Sequence, residues 1–181
     1  MEQQNKIKTL TPIMTYGAIL GAALAGFTLL LYVMHQMFST SLLFIRLILF
    51  VYILIYSQKA LRDKYFNGQV TYKMALSLGF SISVFAGIII SFLIFVLYYT
   101  DPNLVEETFT NMEEALLQLH IFTEDKIEFI VQNSRENYNP LATFFSGIFE
   151  FAFKGLLISL ITSIFVKREN NSFENTMKEV E

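Results

Sequence analysis

The chain has 181 residues, 54% of them hydrophobic, and a formal net charge of -3. Its mean hydropathy of +0.47 is too high for an ordinary soluble domain, so residues 1–181 are expected to form a single integral membrane domain. Cysteine is absent, which excludes disulfides, cysteine-ligated zinc and thiol catalysis. Because no basic face lies outside the membrane flanks, nucleic acid is not expected as a partner.

Four apolar stretches predict four transmembrane helices. A spanning helix needs roughly 20 mostly apolar residues, because a helix rises ~1.5 Å per residue and the hydrocarbon core is ~30 Å thick. The predicted spans are residues 13–38, 42–57, 74–99 and 141–166. The predicted fold class is therefore all-α, a polytopic membrane protein built as a four-transmembrane-helix bundle.

The first span has one alternative interpretation. Lys6 and Lys8 precede an apolar run that contains Ala23-Leu24-Ala25, a pattern shared with cleavable secretory signals. The run continues to Phe38, which makes it longer than the apolar region of a signal. We therefore expect a retained transmembrane helix.

The basic residues predict the orientation of the spans, because Lys and Arg accumulate in cytoplasmic segments. The only basic residues between positions 100 and 140 are Lys126 and Arg135. The other connections and the two ends contain Lys6, Lys8, Lys59, Arg62, Lys64, Lys73, Lys167, Arg168 and Lys178. Both termini, including the tail 167–181, are therefore predicted to be cytoplasmic, and residues 100–140 to lie outside.

Residues 100–140 form an acidic loop with helical character. Its acidic residues are Asp101, Glu106, Glu107, Glu113, Glu114, Glu124, Asp125, Glu128 and Glu136. Apolar residues recur at spacings of four and three and so share one helical stripe: Val105, Phe109, Met112, Leu116 and Leu119. A second short helix is expected from Thr123, as N-cap, to Val131. The pattern predicts a short extracytoplasmic helical hairpin packed on the mouth of the bundle, although the stripe could instead lie on the lipid surface.

Small residues four positions apart mark the surfaces at which the spans are expected to pack, because transmembrane helices associate by close backbone approach. The predicted packing residues are Gly17, Gly21, Gly79, Ser83, Gly87, Gly155 and Ser159, continued by Ala25, Ser91 and Ser163. These stripes could join helices of one chain or mate with another subunit, and the sequence does not separate the two.

Charged residues inside the spans predict an intramembrane polar cluster. Glu150 and Lys154 lie one helical turn apart in the fourth span, in the favourable orientation of such a pair. Arg46 has a similar depth in the second span, and His35 lies near the end of the first. We expect His35, Arg46, Glu150 and Lys154 to converge. The cluster could be a structural charge pair, or it could bind a ligand or carry protons.

Short motifs along the chain resemble a known family. They are Arg62-Asp63-Lys64, Asn67-Gly68, the segment 72–79, Asp101-Pro102, and Ser159-Leu160-Ile161 leading to Lys167. Together they resemble the bacterial membrane-protein family catalogued as domain of unknown function 4199, over nearly the whole chain. The resemblance implies four spans in a bacterial inner membrane and no particular activity.

No catalytic or nucleotide-binding motif is present in the sequence, so we expect no catalytic residue, no metal site and no cofactor. The expected function is that of a non-catalytic subunit or scaffold of an envelope complex, whose partners are the lipid bilayer and either another membrane protein or further copies of the chain. The alternative is a small oligomeric transporter or channel component that uses the intramembrane cluster. An enzyme acting on a lipid-linked substrate is the third interpretation.

Overall fold

A computed structural model of the protein describes residues 2–168, with side chains described from Leu10 onward. It contains six helices in this range and no strand: α1 (Glu2–Val33), α2 (Thr40–Tyr65), α3 (Tyr72–Thr100), α4 (Pro102–Leu119), α5 (Glu124–Glu136) and α6 (Pro140–Val166). Four of them are long and apolar enough to cross a membrane, namely α2, α3, α6 and the Leu10–Val33 part of α1. The predicted all-α class with four long apolar helices is confirmed, while the predicted tail beyond Arg168 lies outside the described residues.

The first helix ends earlier than the hydropathy pattern indicates, at Val33 rather than Phe38. The chain turns at His35, whose backbone has a left-handed φ of 53°. The amide of His35 donates to the Tyr32 carbonyl, and the amide of Gln36 donates to the Leu31 carbonyl. This is the Schellman arrangement, which satisfies carbonyls that the helix end would otherwise leave without donors.

The second helix extends beyond the predicted residue 57 to Tyr65. Gln58 and Leu61 are fully buried in this last part. Hydropathy alone predicts too short a span, because a polar residue such as Gln58 lowers the hydropathy even where it is buried with a hydrogen-bond partner. Here the Gln58 amide donates to the carbonyl of Ala75 in α3 at 3.0 Å.

Helices α3 and α6 run antiparallel and pack closely. Side chains of each helix fill the space beside glycines of the other. The contacts recur once per helical turn, in four layers: Gly79 with Ser159, Ser83 with Gly155, Gly87 with Phe151, and Ser91 with Gly147. A Cβ atom added to Gly87 would lie 2.7 Å from the Cβ of Phe151. In each layer a side chain of one helix thus occupies the space in which a Cβ atom on the facing glycine would lie.

Helix α1 packs against another side of α3, so that α3 lies between α1 and α6. Gly17 faces Phe85. A Cβ on Gly21 would lie 2.9 Å from the Cδ1 of Ile89 and 3.2 Å from the Cα of Ala86. The glycines of the predicted stripes therefore contact helices of the same chain.

Helix α2 is the least buried of the four long helices and is held mainly at the end of the spans where Gly68 lies, here named the Gly68 end. Asn67 and Gly68 form a turn there, with φ of 51° and 76°. Arg62 donates to the carbonyl of Val166, the last residue of α6, at 3.0 Å. This bond satisfies a terminal carbonyl of α6 and places a cation at the negative end of its helix dipole.

The α4–α5 segment, residues 102–136, is built on the opposite end of α3. Asp101 caps α4 by accepting from the amide of Asn103 and also accepts from the hydroxyl of Tyr32 in α1, at 3.0 Å. The segment has a separate apolar core made of Val105, Phe109, Ile127 and Val131, against which Tyr98, Leu116 and Tyr138 pack. The stripe of α4 therefore packs on α5 and also contacts the span α3 through Tyr98, whose hydroxyl lies 2.9 Å from that of Thr108. Helix α5 begins after Thr123, whose side chain makes no capping hydrogen bond.

Replacing Gly155 with alanine is expected to destabilise the protein, because the added Cβ would overlap the side chain of Ser83. Overpacking of this kind costs about 1–3 kcal/mol. The measurement is the midpoint of SDS-induced unfolding in mixed micelles. Gly26→Ala is the matched control, since nothing lies within 4 Å of a Cβ at Gly26.

The double variant Ser83→Gly/Gly155→Ala should recover most of the lost stability, because Ser83→Gly removes the side chain that the added Cβ would overlap. Equal midpoints for Gly155→Ala and Gly26→Ala would contradict the close approach of α3 and α6.

Candidate functional site

Arg46, Glu150 and Lys154 line one cleft between α2 and α6, with a volume of about 480 Å³. The rest of the lining is apolar apart from Thr40: Leu24, Leu43, Phe44, Leu47, Phe50, Ile94, Phe151 and Ile158. We name this feature the α2–α6 cleft. Three of the four residues of the predicted intramembrane cluster thus lie at one site.

The cleft lies between α2 and α6, which run in the same direction and are joined at the Gly68 end by the hydrogen bond from Arg62 to the Val166 carbonyl. The rings of Phe50 and Phe151 meet edge to face with centroids 6.4 Å apart. Above them the guanidinium of Arg46 lies 5.8 Å from the centre of the Phe151 ring. Arg46 precedes Arg62 by the same number of residues as Glu150 precedes Val166, so the two charges have the same depth.

The charges of the cleft do not balance. Lys154 donates to the carboxylate of Glu150, one helical turn away. Among the residues that the structure describes, Arg46 forms no ion pair and its only polar contact is the face of Phe151. The cleft therefore contains a neutral Glu150–Lys154 pair and one additional positive charge.

Both members of the Glu150–Lys154 pair are more than half exposed, at 58% and 57% of their side-chain surface. They lie near the middle of α6, a helix long and apolar enough to span a membrane. In a bilayer this exposed surface faces hydrocarbon or whatever occupies the cleft. Charges at such a position are costly, which makes the cleft a candidate functional site.

His35 lies apart from the other three. It is exposed at the end of α1 and does not line the cleft. The backbone of His35 adopts the left-handed conformation that ends α1. Histidine is among the residues that adopt this conformation more readily than most.

A second candidate surface lies on the α4–α5 segment, as a groove of about 670 Å³. Four glutamates line it: Glu113, Glu124, Glu128 and Glu136. Arg135, also at the groove, pairs with Glu106 at 3.1 Å and lies 5.5 Å from the centre of the Phe109 ring. The groove is therefore strongly negative. No group of three His, Asp or Glu side chains in the described part of the chain is arranged to hold a metal ion.

Apolar side chains are exposed in the turn that joins α4 to α5 and in the two helices beside it. Ile121 is 69% exposed and Phe129 is 70% exposed, and Leu119 and Phe122 are also exposed. We name these four residues the apolar tip. The sequence analysis missed it because Ile121, Phe122 and Phe129 do not continue the helical stripe of α4.

Tyr138 closes the core of the α4–α5 segment, where its ring meets Phe109 edge to face at 5.9 Å. Its hydroxyl is buried without a hydrogen-bond partner among the described residues. Burial raises the pKa of the Tyr138 hydroxyl above its ordinary value. The packing of the ring, rather than the hydroxyl, is what stabilises the segment.

A family model described as "Protein of unknown function (DUF4199)" matches residues 15–168, most of the chain. No curated protein and no solved structure matches the chain.

We expect the Glu150–Lys154 pair to act as a unit during membrane insertion. Each single alanine variant leaves one unpaired charge, which costs about 2.5–3.5 kcal/mol at the centre of a spanning helix. If the two charges offset each other, each single variant should insert no better than the original chain although it removes a charge, and the double variant Glu150→Ala/Lys154→Ala should insert best. The measurement is the inserted fraction of α6 in a glycosylation-mapping assay, and single variants that both insert clearly better than the original chain would contradict the pairing.

Replacing Tyr138 with phenylalanine should leave the stability of the protein unchanged or raise it, because the hydroxyl that is removed is buried without a partner. Tyr138→Ala, which also removes the ring from Phe109, should lower stability. Protease cleavage rates within residues 102–136 report both effects. Faster cleavage of Tyr138→Phe would show that the hydroxyl has a partner.

Proposed function

The chain belongs to the DUF4199 family, and we propose that it is a non-catalytic subunit of a bacterial inner-membrane complex. In this proposal α1, α2, α3 and α6 cross the membrane as a four-helix bundle with both termini in the cytoplasm. The α4–α5 segment is then an extracytoplasmic helical hairpin that docks a partner protein. The basic residues near the Gly68 end and the acidic α4–α5 segment support this orientation.

The apolar tip is the observation that carries the proposal. Ile121 and Phe129 are more than two-thirds exposed on a segment that is otherwise strongly charged. Exposed apolar residues surrounded by polar ones are typical of protein interaction surfaces. The small-residue stripes contribute less to docking, because their glycines contact helices of the same chain.

The charges beside the apolar tip favour a protein partner over the membrane surface. Glu124, Asp125 and Glu128 are exposed within a turn or two of Phe129. Bacterial headgroups that are anionic would repel these carboxylates. A protein surface that surrounds an apolar pocket with Lys or Arg side chains would contact the apolar tip and place a cation in the glutamate-lined groove.

A transporter or channel component is the second candidate. The observation that favours it is the presence of Arg46, Glu150 and Lys154 in one cleft. Below this cleft α2 contacts the other spans through fully buried residues of both kinds, apolar Leu54 and Leu61 and polar Ser57 and Gln58. In this second candidate, groups from a second copy of the chain would complete a polar path across the membrane.

The docking proposal is tested by a photoactivatable amino acid placed at position 121 of the full chain in living cells. We expect one major crosslinked protein, identified by mass spectrometry, with a basic surface. Phe129→Ser and the charge reversal Glu124→Lys/Glu128→Lys should each reduce its yield roughly tenfold, equivalent to about 1.4 kcal/mol of binding free energy. Glu107→Lys, an exposed charge reversal away from the groove, should leave the yield unchanged.

Equal yields in all four proteins would contradict docking through the apolar tip. Crosslinking only to phospholipid from position 121 would instead place the tip on the membrane and overturn the proposal.

A further inference from the structure

The α2–α6 cleft contains an arginine, Arg46, that forms no ion pair within the described chain. The guanidinium of Arg46 has five hydrogen-bond donors, yet within the described residues its only polar contact is the face of Phe151. The one carboxylate of the cleft, on Glu150, accepts from Lys154. The site as a whole is therefore short of one negative charge.

Arg46 lies at a depth from which it can reach the membrane interface. It is six residues into α2, about 9 Å along the helix axis. With 26 residues, α2 is about 39 Å long, several ångströms more than the ~30 Å hydrocarbon core needs. A helical side chain points toward the N-terminus of its helix, so the guanidinium of Arg46 extends toward the headgroups on the side of the α4–α5 segment.

Lys154 lies too deep for the same role. It follows the start of α6 by about 21 Å, near the middle of the hydrocarbon, and its ammonium already contacts Glu150. The cleft thus has a cationic upper end at Arg46, a neutral pair below it, and an apolar lining of Leu47, Ile94 and Ile158.

The length and lining of the cleft suit an acyl chain. Along α2 the lining runs from Thr40 to Phe50, about 15 Å. Apart from Thr40 and the three charged residues the lining is apolar, so a hydrocarbon chain can lie along it.

We propose that the α2–α6 cleft binds one anionic phospholipid, whose phosphate is held by Arg46 and one of whose acyl chains lies along the apolar lining. The phosphate supplies the missing negative charge through charge-assisted hydrogen bonds to the guanidinium. The acyl chain covers the apolar surface between the separated helices, and the lipid shields the Glu150–Lys154 pair from bulk hydrocarbon. This site is independent of the apolar tip.

The test is native mass spectrometry of the full chain released from nanodiscs of phosphatidylglycerol mixed with phosphatidylcholine. We expect one tightly retained phosphatidylglycerol per chain and no retained phosphatidylcholine. Arg46→Gln should reduce the retained fraction roughly tenfold, because a charge-assisted bidentate contact is lost. Lys59→Gln, which removes an exposed cation from the Gly68 end of the same helix, should retain the lipid as the original chain does.

A second variant tests the apolar part of the site without touching a charge. Leu47→Trp places a larger side chain in the cleft lining and should also reduce retention, while the SDS-unfolding midpoint shows that the protein is folded. Photoactivatable phosphatidylglycerol should crosslink to peptides that contain residues 43–47 and 150–158.

Three results would overturn the proposal. Retention that is unchanged in both Arg46→Gln and Leu47→Trp would show that the lipid binds elsewhere. Equal retention of phosphatidylcholine, whose choline cation balances its phosphate, would show that the site does not recognise the net negative charge of the headgroup. Displacement of the lipid by inorganic phosphate alone would assign the site to a free anion, since a lipid held also by its acyl chain should resist that competitor.

Discussion

The close approach of α3 and α6 determines where the other helices can lie. In a bilayer the spans gain little from burying apolar side chains, because lipid tails are equally apolar, so their association depends on close packing and polar contacts. Here a glycine faces a side chain of the other helix in each of four layers, from Gly79 with Ser159 to Ser91 with Gly147. The spacing of four on both antiparallel helices keeps these layers in register over about three turns.

This packing also produces the α2–α6 cleft. Once Gly155 and Phe151 of α6 face α3, Glu150 and Lys154 lie on surfaces of α6 that α3 does not cover. Arg62 and Gln58 hold α2 to the other helices at the Gly68 end, and toward Arg46 the α2–α6 cleft lies beside it. The charged residues and the space beside them are therefore consequences of one packing arrangement, and they give the proposed lipid site its cationic and apolar ends.

Much of this architecture follows from the sequence by simple physical rules. Hydropathy located four long helices, and spacing of four located the glycines of α3 and α6. Counting residues from the ends of the spans gave Arg46 and Glu150 similar depths. The rules failed where the outcome depends on backbone or on tertiary partners. His35 ends α1 through a left-handed conformation, which depth in a span does not indicate. The stripe of α4 packs on Ile127 and Val131 of α5. The spacing of apolar residues does not indicate which helix such a stripe contacts.

The register of α3 and α6 is tested most directly by disulfide formation between Ser91→Cys and Gly147→Cys in membranes. The chain has no cysteine of its own, and a Cβ on Gly147 would lie 3.3 Å from the Cβ of Ser91, within reach of a disulfide. We expect rapid oxidation to an intramolecular disulfide, and no oxidation of the pair Ser91→Cys/Ser159→Cys, whose second residue lies three turns farther along α6. Disulfides that form only between chains, or that form equally in the distant pair, would contradict the packing of α6 on α3.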